Sequence, residues 1–387
     1  MSEWTTQRLE EIIQVNPTVK LTKGEVYPFI DIDKVSPTLR SVTNEEEKVY
    51  DGQSCSKFCN GDTVFSRITP CLENRKIAKV SIDGQAAFGS TEFYIFRAKE
   101  GKSDENFVYY LTSSDAVVLP AINSMTGASG RQRADKRFIE RTKLNVPDLP
   151  TQKRIAEILS AYDDLIENNN RRIALLEKAA QELYKEWFVR FRFPGHETTK
   201  FENGLPEEWK VLTVNNTFEI YDSKRIPISS MERDKMKKIY PYYGAAELMD
   251  YVDDYIFDGI YLLLGEDGSV IRPNGKPILQ YVWGKIWVNN HAHVLQGKNP
   301  YSTEFLHLMF NQMDITGIVT GSAQPKISQG RLFKKKTILP PDDILARFDL
   351  VIQPIYQKIR QLTEANQNLE KQRDLLLPRL MSGELEV

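Results

Sequence analysis

Two stretches of the sequence place basic side chains among amides and hydroxyls, in a pattern that suits contacts with nucleic acid. The first is "MTGASGRQRA" (residues 125–134) and the second is "VTGSAQPKIS" (residues 319–328). Arg and Lys bind phosphates, while Arg can pair with guanine and Gln or Asn with adenine. The chain has a net charge of −2, so any surface for nucleic acid must be a local basic patch.

The candidate DNA-contacting residues share a basic or amide side chain in or near these two loops. In the first half of the chain they are Arg67, Asn74, Arg75, Lys76, Arg131, Gln132, Arg133, Lys136 and Arg137. In the second half they are Lys224, Arg225, Arg233, Gln324, Lys326, Gln329 and Arg331. Any one of them taken alone is equally well explained as a solvated surface residue, so the prediction rests on the pairing of the loops.

The second loop holds an amide and a cation that suit different tasks. Gln324 can both donate to and accept from adenine, whereas the flexible charge of Lys326 suits a phosphate. Pro325 between them is expected to stiffen the loop and to start a short helix, whose N-terminus would also favour a phosphate. The alternative role for Gln324 is to cap the backbone of its own loop.

Patterns that would support catalysis or metal binding are missing from the sequence. It has no GxxxxGK[ST] phosphate loop and no Asn/Asp-Pro-Pro-Tyr/Phe loop of an adenine methyltransferase. Cys55, Cys59 and Cys71 lack the CxxC spacing of a zinc site, and the pair His291 and His293 is expected to be structural. We therefore expect no catalytic residue, no metal and no cofactor in this chain.

The two loops belong to a longer internal repeat. At an offset of 194 residues, Gly127 aligns with Gly321 and Pro147 aligns with Pro341. A Glu-Trp pair, beginning at Glu3 and at Glu208, stands near the start of each half. Both halves alternate short β-rich runs with Gly, Asp and Asn turns. A repeat of this length indicates a duplicated domain, because solenoid repeats have periods of ~20–50 residues.

Each half ends in a heptad pattern with apolar residues at steps of four and three. The first seam is Ile155, Leu159, Tyr162, Ile166, Asn169, Ile173, Leu176, Ala180, Leu183 and Trp187. The second seam is Phe348, Ile352, Ile355, Ile359, Leu362, Asn366, Leu369, Arg373, Leu376 and Leu380. The identical spacing favours two helices that pair with each other over two unrelated amphipathic helices that pack on their own domains.

Two asparagines lie in these seams, and two prolines lie within the second helical segment. Asn169 and Asn366 each replace an apolar seam residue, as buried asparagines do when they fix the register of a coiled coil. Pro354 is expected to kink the second helix near its start, and Pro378 to end or bend it.

Helix length and chain direction predict the architecture. A helix of ~35–40 residues spans roughly 50–60 Å, and the second helix can pack on the first only by running back along it. We therefore expect antiparallel helices with a globular domain at each end. The predicted bounds are 1–149 for the first domain, 150–193 for the first helix, 194–341 for the second domain with its linker, and 342–387 for the second helix. The fold class is α+β: two mixed α/β domains, separated by two long antiparallel coiled-coil helices, in a pseudo-twofold internal repeat.

Four segments of the sequence carry a resemblance to a known family. They are "LPTQKRIAEILSAYDDLIENNNRRIALLEKAAQELYKEWFVRFRFPG" (149–195), "GSAQPKIS" (321–328), "YPYYGA" followed by "DYIFDGIYLLLGEDG", and the tail "RDLLLPRLMSGELEV". With these segments the chain resembles the specificity subunits of type I restriction–modification enzymes. The resemblance covers nearly the whole chain. It is strong in the helical regions and looser in the first domain, which is the part expected to vary with the target sequence.

This resemblance implies a sequence-specific subunit that binds double-stranded DNA without catalysing a reaction. Two target recognition domains would each read one half of a split DNA sequence. The helices would dock two methyltransferase subunits, and restriction/translocase subunits would complete the complex. S-adenosylmethionine, ATP and Mg would be used by those partners and not by this chain. No apolar run approaches the ~18 residues of a membrane span. We expect a cytoplasmic protein, since three cysteines without CxxC spacing fit a reducing compartment.

Two alternatives remain open. The chain could be the DNA-reading module of a related system, whose partner is a fused restriction–methylation polypeptide. It could also be a coiled-coil adaptor that binds no DNA. Loss of affinity with rising salt would separate DNA binding from the adaptor role.

Overall fold

The computed structural model describes residues 4–44, 46–84, 86–321 and 323–387. Glu3 of the first Glu-Trp pair and Ser322 of the second loop lie outside the described residues. The chain divides into two units. The first contains the described residues up to Arg171 together with Leu362–Val387, and the second is Arg172–Gln361. Among the described residues, no helix has both the length and the apolar character needed to cross a membrane.

The helices and strands are numbered in chain order. The α-helices are α1 Leu9–Ile12, α2 Glu105–Ser113, α3 Asp115–Asn123, α4 Lys136–Arg141, α5 Leu149–Tyr184, α6 Ser230–Arg233, α7 Thr303–Gln312, α8 Gln329–Lys334 and α9 Asp342–Ser382. The strands of the first unit are β1 Trp4–Arg8, β2 Ile13–Val15, β3 Val26–Ile30, β4 Ser41–Val42, β5 Glu46–Val49, β6 Ser56–Cys59, β7 Thr63–Ser66, β8 Ile77–Val80, β9 Ala86–Gly89, β10 Phe93–Ala98 and β11 Lys143–Pro147. Those of the second unit are β12 Phe201–Glu202, β13 Leu205–Pro206, β14 Lys210–Thr213, β15 Phe218–Ile220, β16 Tyr240–Tyr243, β17 Leu248–Val252, β18 Phe257–Gly265, β19 Leu279–Val288, β20 Ala292–Gly297 and β21 Lys336–Leu339.

The two units share the topology of their main sheets. In the first unit the strand order is β2-β10-β7-β8-β4, and in the second it is β15-β20-β18-β19-β16-β17. Each unit also has a separate two-stranded ladder, β1 with β11 and β14 with β21. The units differ in that β3, β5, β6 and β9 form a sheet of their own, whereas β16 and β17 extend the main sheet. The predicted fold class with its internal repeat is therefore confirmed.

Equivalent helices cover these sheets and begin with equivalent caps. Before α2, the carboxylate of Asp104 accepts hydrogen bonds from two backbone N–H groups at 2.9 and 3.0 Å. Before α7, Ser302 Oγ accepts one from the backbone N–H of Phe305 at 3.1 Å. Such caps satisfy N–H groups that have no partner inside the helix. Apolar residues then recur at helical spacing, so that Phe107 and Leu111 pack in the core of the first unit.

The long helices α5 and α9 contain 36 and 41 residues. A short π-helix, Lys185–Val189, follows α5 directly. Every residue of the two predicted seams is buried or half-buried, including the polar residues Asn169, Asn366 and Arg373. The polar and charged residues between them face solvent in most positions, as a heptad pattern requires.

Within the first unit the two long helices contact each other in antiparallel order. Asn169 Nδ2 donates to Asn366 Oδ1 at 2.9 Å. Earlier on α5, Asp163 Oδ1 accepts from the Arg373 guanidinium at 2.6 Å. Residue numbers therefore rise along α5 as they fall along α9. The alternative of two helices without mutual contact is excluded.

We expected Pro378 to end or bend the second helix. The expectation that the helix ends there was wrong. Helix α9 continues to Ser382, four residues beyond Pro378, and it also runs through Pro354 without interruption. A proline inside a helix removes one backbone hydrogen bond. Here the buried seam on both sides, with Leu376 half-buried and Leu380 fully buried, supplies packing that offsets this loss.

Candidate DNA interface

The two loops noted in the sequence are each closed by an isolated β-bridge between backbone groups. In the first unit Thr126 and Arg133 form an isolated antiparallel bridge, with N–H to O distances of 3.1 and 2.9 Å. In the second unit Thr320 and Lys326 form the same bridge, at 2.9 and 2.7 Å. The chain of each loop therefore leaves the domain and returns to it through one pair of neighbouring residues, which fixes the base of the loop.

A glycine follows the threonine in both loops and is needed there. Gly127 has φ +128° and Gly321 has φ +84°, a region that other residues rarely adopt. A Cβ on Gly321 would also lie 2.3 Å from the backbone oxygen of Gln324. Both the turn and the close approach within the loop therefore require glycine.

A second set of backbone bonds ties each loop to the main sheet. After β7, the N–H of Thr69 donates to the Gln132 carbonyl at 3.0 Å. After β18, the N–H of Gly268 donates to the Pro325 carbonyl at 2.9 Å. Because the loops are bonded to the segments that follow equivalent strands, they occupy equivalent positions on the two units.

Several predicted residues project from these regions with free side chains. They are exposed or half-buried, and none makes a side-chain hydrogen bond or ion pair with the described part of the chain: Asn74, Arg131, Gln132, Arg137, Gln324 and Arg331. The guanidinium groups can bind phosphate or guanine, and the amides can pair with adenine. For Gln324 this argues against the alternative role of capping its own loop.

The basic residues that close the loops are held by carboxylates. The Arg133 guanidinium donates to both oxygens of Glu92, at 2.9 and 2.6 Å, and Arg67 donates to the same carboxylate at 3.3 Å. The hydrogen bond from Arg133 holds the pKa of Glu92 below its ordinary value, against the opposite effect of partial burial. In the second unit Lys326 Nζ lies 3.3 Å from Glu266 Oε1. The carboxylates therefore fix the positions of these cations. They also neutralise part of the charge that the cations could offer to a ligand.

Two other predicted residues are nearly buried and have partners inside the fold. The side chains of Arg225 and Arg233 are 11% and 12% exposed. Arg225 donates to Glu266 at 2.8 Å and Arg233 to Asp250 at 3.0 Å. Releasing either cation would take one of its cationic partners from a half-buried carboxylate, which is costly.

Four further predicted cations also have intramolecular partners. Lys76 Nζ donates to the carbonyl of Ile32 at 3.0 Å, and Arg75 contacts the Ser113 carbonyl and Asp115. Lys136 pairs with Glu140 one helical turn later. Lys224 is exposed, and its ammonium lies 5.0 Å from the ring centre of Tyr221. Lys136 and Lys224 therefore stay accessible, whereas Lys76 and Arg75 are occupied.

The expected helix at Pro325 was wrong. Helix α8 begins at Gln329, after Ser328, and contains six residues. Pro325 instead lies between the free Gln324 and the bridge residue Lys326. Gln329 is not free, because its Nε2 donates to Asp222 Oδ2 at 2.6 Å. A phosphate therefore has no helix start to bind at Pro325.

A buried cluster behind the second loop was not predicted. Asp222, Glu266 and His293 lie with potential ligand atoms within 4.8 Å of one another. His293 is fully buried and uses both ring nitrogens, Nδ1 toward Asp222 at 2.6 Å and Nε2 toward the Ile327 carbonyl at 2.8 Å. A metal ion would have to displace these bonds, so the donor set fits a structural network better than a metal centre. The sequence signal was limited to His293 itself, which was expected to be structural.

The hydrogen bonds of this network also shift the charge state of Asp222. Burial raises the pKa of that carboxyl, but the hydrogen bonds from His293, the Val294 backbone and Gln329 outweigh burial and lower it. Asp222 is therefore an ionised acceptor at neutral pH. It links the 3₁₀ turn Asp222–Lys224 to the strand β20 and to α8 behind the loop.

Comparisons with known proteins identify the family of the chain. The family described as type I restriction modification DNA specificity domain matches residues 1–178 and 206–377. The type I restriction enzyme MjaIX specificity subunit of Methanocaldococcus jannaschii is 24% identical over 416 residues, which covers 100% of this chain and 94% of that protein. A putative type I restriction enzyme specificity subunit of Haemophilus influenzae, S.HindORF215P, is 32% identical over 37% of this chain and 35% of its own length.

A solved structure shares the fold. The crystal structure of a type I restriction–modification system S subunit from M. genitalium superposes with a TM-score of 0.56 at 15% identity, covering 98% of this chain and 96% of that one. The family match spans both halves of the sequence, and the resemblance noted from the sequence motifs is thereby confirmed. The chain belongs to the family of type I restriction–modification DNA specificity domains.

Proposed function

We propose that this chain is the DNA-recognition subunit of a type I restriction–modification complex, and that each unit contacts one half of a bipartite duplex target. One observation carries the assignment of the interface: both units present a loop closed by a Thr bridge, with exposed basic and amide side chains that have no partner among the described residues. Family membership supplies the DNA target as the ligand class.

The side chains of the loops divide into two groups by their accessibility. Arg131, Arg137 and Arg331 have free guanidinium groups that suit phosphate or guanine, and Gln132 and Gln324 have free amides that suit adenine. We assign base reading to the amides, and contact with phosphate or guanine to the guanidinium groups. The cations held by carboxylates at the loop bases, Arg133 and Lys326, orient the loops and contribute to phosphate binding.

Catalysis and cofactors are assigned to the partners. The sequence lacks the loops that bind ATP or a flipped adenine, which supports a non-catalytic role. We propose that two methyltransferase subunits supply S-adenosylmethionine chemistry and that restriction/translocase subunits use ATP and Mg. The proposed location of the assembled complex is the cytoplasm.

The salt dependence of binding tests whether the loops contact DNA. Binding of the full chain to a duplex should weaken steeply between low and moderate salt, because each neutralised phosphate releases counterions. Arg131→Ala and Arg331→Ala should each make the slope of log K against log salt shallower by about one unit if the residue contacts phosphate. Arg154→Ala is the matched control, because Arg154 lies on an exposed part of α5 outside the loops. Binding that is insensitive to salt would support the adaptor alternative instead.

The identity of the target can be obtained by mapping methylation across a genome that carries this gene and its partner genes. The proposed function predicts one bipartite motif, with two defined halves and a fixed spacer. Co-purification with a separate methyltransferase chain would distinguish this assembly from a fused restriction–methylation polypeptide. A contiguous motif, or no methylation with intact partners, would contradict the proposal.

A further inference from the structure

Tyr94 and His293 occupy the same position in the two units. In the ladder of β7 with β10, Tyr94 lies opposite Phe65, the second-to-last residue of β7. In the ladder of β18 with β20, His293 lies opposite Leu264, the second-to-last residue of β18. The two side chains therefore start from equivalent backbone sites, although one is a phenol and the other an imidazole.

The residues that end the two loops are equivalent as well. Ala134 follows the bridge residue of the first loop, and its N–H donates to the Arg67 carbonyl at 2.8 Å. Ile327 follows the bridge residue of the second loop, and its N–H donates to the Glu266 carbonyl at 2.8 Å. Both loop ends are buried, with exposures of 3% for Ala134 and 0% for Ile327.

Each side chain binds the carbonyl of its own loop end. Tyr94 Oη donates to the Ala134 carbonyl at 2.7 Å. His293 Nε2 donates to the Ile327 carbonyl at 2.8 Å, and it must be the donor because a carbonyl oxygen only accepts. The same hydrogen bond is thus made twice, by side chains of different chemistry.

We propose that Tyr94 and His293 are equivalent positioning residues, each of which holds the end of one recognition loop and so sets base discrimination at one half-site only. This inference rests on the proposed function, in which the loops bind DNA. Each hydrogen bond joins a strand of the main sheet to the carbonyl at the end of the loop. It therefore limits how far the free side chains earlier in that loop can move. Base discrimination depends on such restriction, because a displaced amide or guanidinium loses its paired hydrogen bonds to the base.

In the second unit, side-chain hydrogen bonds also connect His293 to the following helix, α8. Among the described residues, Tyr94 makes no such connection in the first unit. His293 Nδ1 binds Asp222, and the same carboxylate accepts from Gln329 of α8 at 2.6 Å. The other charged groups near His293 are Glu266, at 3.6 Å from Nδ1, and Arg225, which binds both acids. Replacing His293 therefore removes one of the bonds that orient Asp222, the acceptor for Gln329 of α8, as well as the bond to the loop end. Its effect on discrimination should exceed that of replacing Tyr94.

Variants that remove only the positioning bond test the proposal. Tyr94→Phe deletes one hydroxyl and keeps the ring. His293→Phe deletes both donors, while Asp222 retains its bonds from Val294 and Gln329. His293→Gln keeps one donor and serves as the conservative variant. Tyr110→Phe is the control, because it removes another buried hydroxyl of the first unit, one that binds Asp163 and is not part of the loop.

The probe is the bipartite duplex found by methylation mapping, together with duplexes that carry single-base changes in either half. Tyr94→Phe should lower the ratio of affinities for correct and changed bases by about 3- to 10-fold in one half and leave the other half unchanged. His293→Phe should lower this ratio in the other half, by a larger factor, and leave the first half unchanged. His293→Gln should recover part of that loss. Tyr110→Phe should leave both ratios unchanged.

Failure of this inference is distinguishable from failure of the proposed function. If the wild-type chain shows no base preference in either half, the proposed function is wrong. If the wild type discriminates but Tyr94→Phe alters neither half, alters both halves equally, or behaves like Tyr110→Phe, the positioning role is wrong. Should His293→Phe fail to fold, Tyr94→Phe and His293→Gln still decide the outcome.

Discussion

Asn169 Nδ2 donates a hydrogen bond to Asn366 Oδ1 at 2.9 Å between the two long helices. Asn366 in turn donates to Asn170 Oδ1 at 2.8 Å. Both seam asparagines are nearly fully buried, at 4% and 6% exposure. An amide pair of this kind is satisfied in one alignment of the helices only, because sliding one helix by a turn would bury each amide against apolar residues.

The first prediction follows from this pairing. Asn169→Leu should destabilise the first unit by about 1–3 kcal/mol, because it leaves a buried oxygen of Asn366 without a donor. The double change Asn169→Leu with Asn366→Leu should recover that stability, since neither seam position then holds a buried amide without a partner. Denaturant unfolding of the single and double variants measures both effects. Equal stability of Asn169→Leu and the wild type would show that the amide pair contributes nothing.

The second prediction separates base reading from positioning in the second loop. Gln324→Ala should relax discrimination at one position of one half-site by about 1–3 kcal/mol, with no change in thermal stability, because its amide binds nothing in the described chain. Lys326→Ala should weaken binding to all sequences and reduce the salt slope by about one unit. Both effects are measured with single-base duplex variants at two salt concentrations.

Gln357→Ala provides the control for this pair, since Gln357 lies on an exposed face of α9. A loss of thermal stability in Gln324→Ala without any change in base preference would assign that amide to the loop's own structure.

The third prediction concerns the glycines of the loops. Gly321→Ala should disturb the second loop strongly, because it combines an unfavourable φ of +84° with a Cβ only 2.3 Å from a backbone oxygen. Gly127→Ala, whose Cβ would lie 3.2 Å from the Arg131 oxygen, should be milder. A positive φ alone costs roughly 1–2 kcal/mol for a residue with a side chain.

Gly330→Ala is the matched control for these variants. It lies in α8, and a Cβ there would meet no atom within 4 Å. It should be tolerated or slightly stabilising, because alanine favours helix more than glycine does. The prediction fails if Gly321→Ala and Gly330→Ala bind the target duplex with the same affinity and discrimination.

The fourth prediction concerns acid sensitivity of the second unit. Burial, and then the Arg272 cation, lower the pKa of His307 to about 4. The ring lies 2.8 Å through Nδ1 from the Tyr356 hydroxyl of α9. In the unfolded chain a histidine has a pKa of ~6.5. Between these two values only the unfolded chain takes up the proton, so stability is lost as the pH falls from above 6.5 towards 4.

The size of that loss is at most about 3.5 kcal/mol, on the order of 1.4 kcal/mol for each pKa unit. His307→Gln should flatten the pH dependence of unfolding in this window, because glutamine keeps a polar partner for Tyr356 and does not titrate. Urea unfolding of both proteins at pH 7.5, 6 and 5 compares the slopes. If the free energy of unfolding depended on pH equally in both proteins, His307 would not be the source of the acid sensitivity.

The loops and the repeat were predictable because they depend on local sequence. A Thr-Gly pair followed by a basic segment occurs twice, and in the structure each threonine forms an isolated β-bridge. The seam was predictable for the same reason, since heptad spacing alone determines which helix face is buried. These features need no knowledge of distant partners.

The partners of single cations were not predictable. Arg225 and Arg233 appear in the sequence as ordinary polar-segment residues, but they bind Glu266 and Asp250, which are 41 and 17 residues away along the chain. The equivalence of Tyr94 and His293 was also hidden, because the two residue types differ and only the strand register aligns them. Pro378 was misjudged because packing of the seam offsets the local cost of proline in a helix.

The pairing of β1 with β11, and of β14 with β21, has a consequence for exchange between relatives. In each unit the chain enters and leaves the globular part through two adjacent antiparallel strands, with Trp4 opposite Pro147 in one and Lys210 opposite Leu339 in the other. Such a stem brings both covalent connections of the globular part together at one place, beside the face that packs on the long helices. A recombination event that preserves the stem replaces everything beyond it, including a loop together with its own anchor, and leaves the register of the long helices untouched.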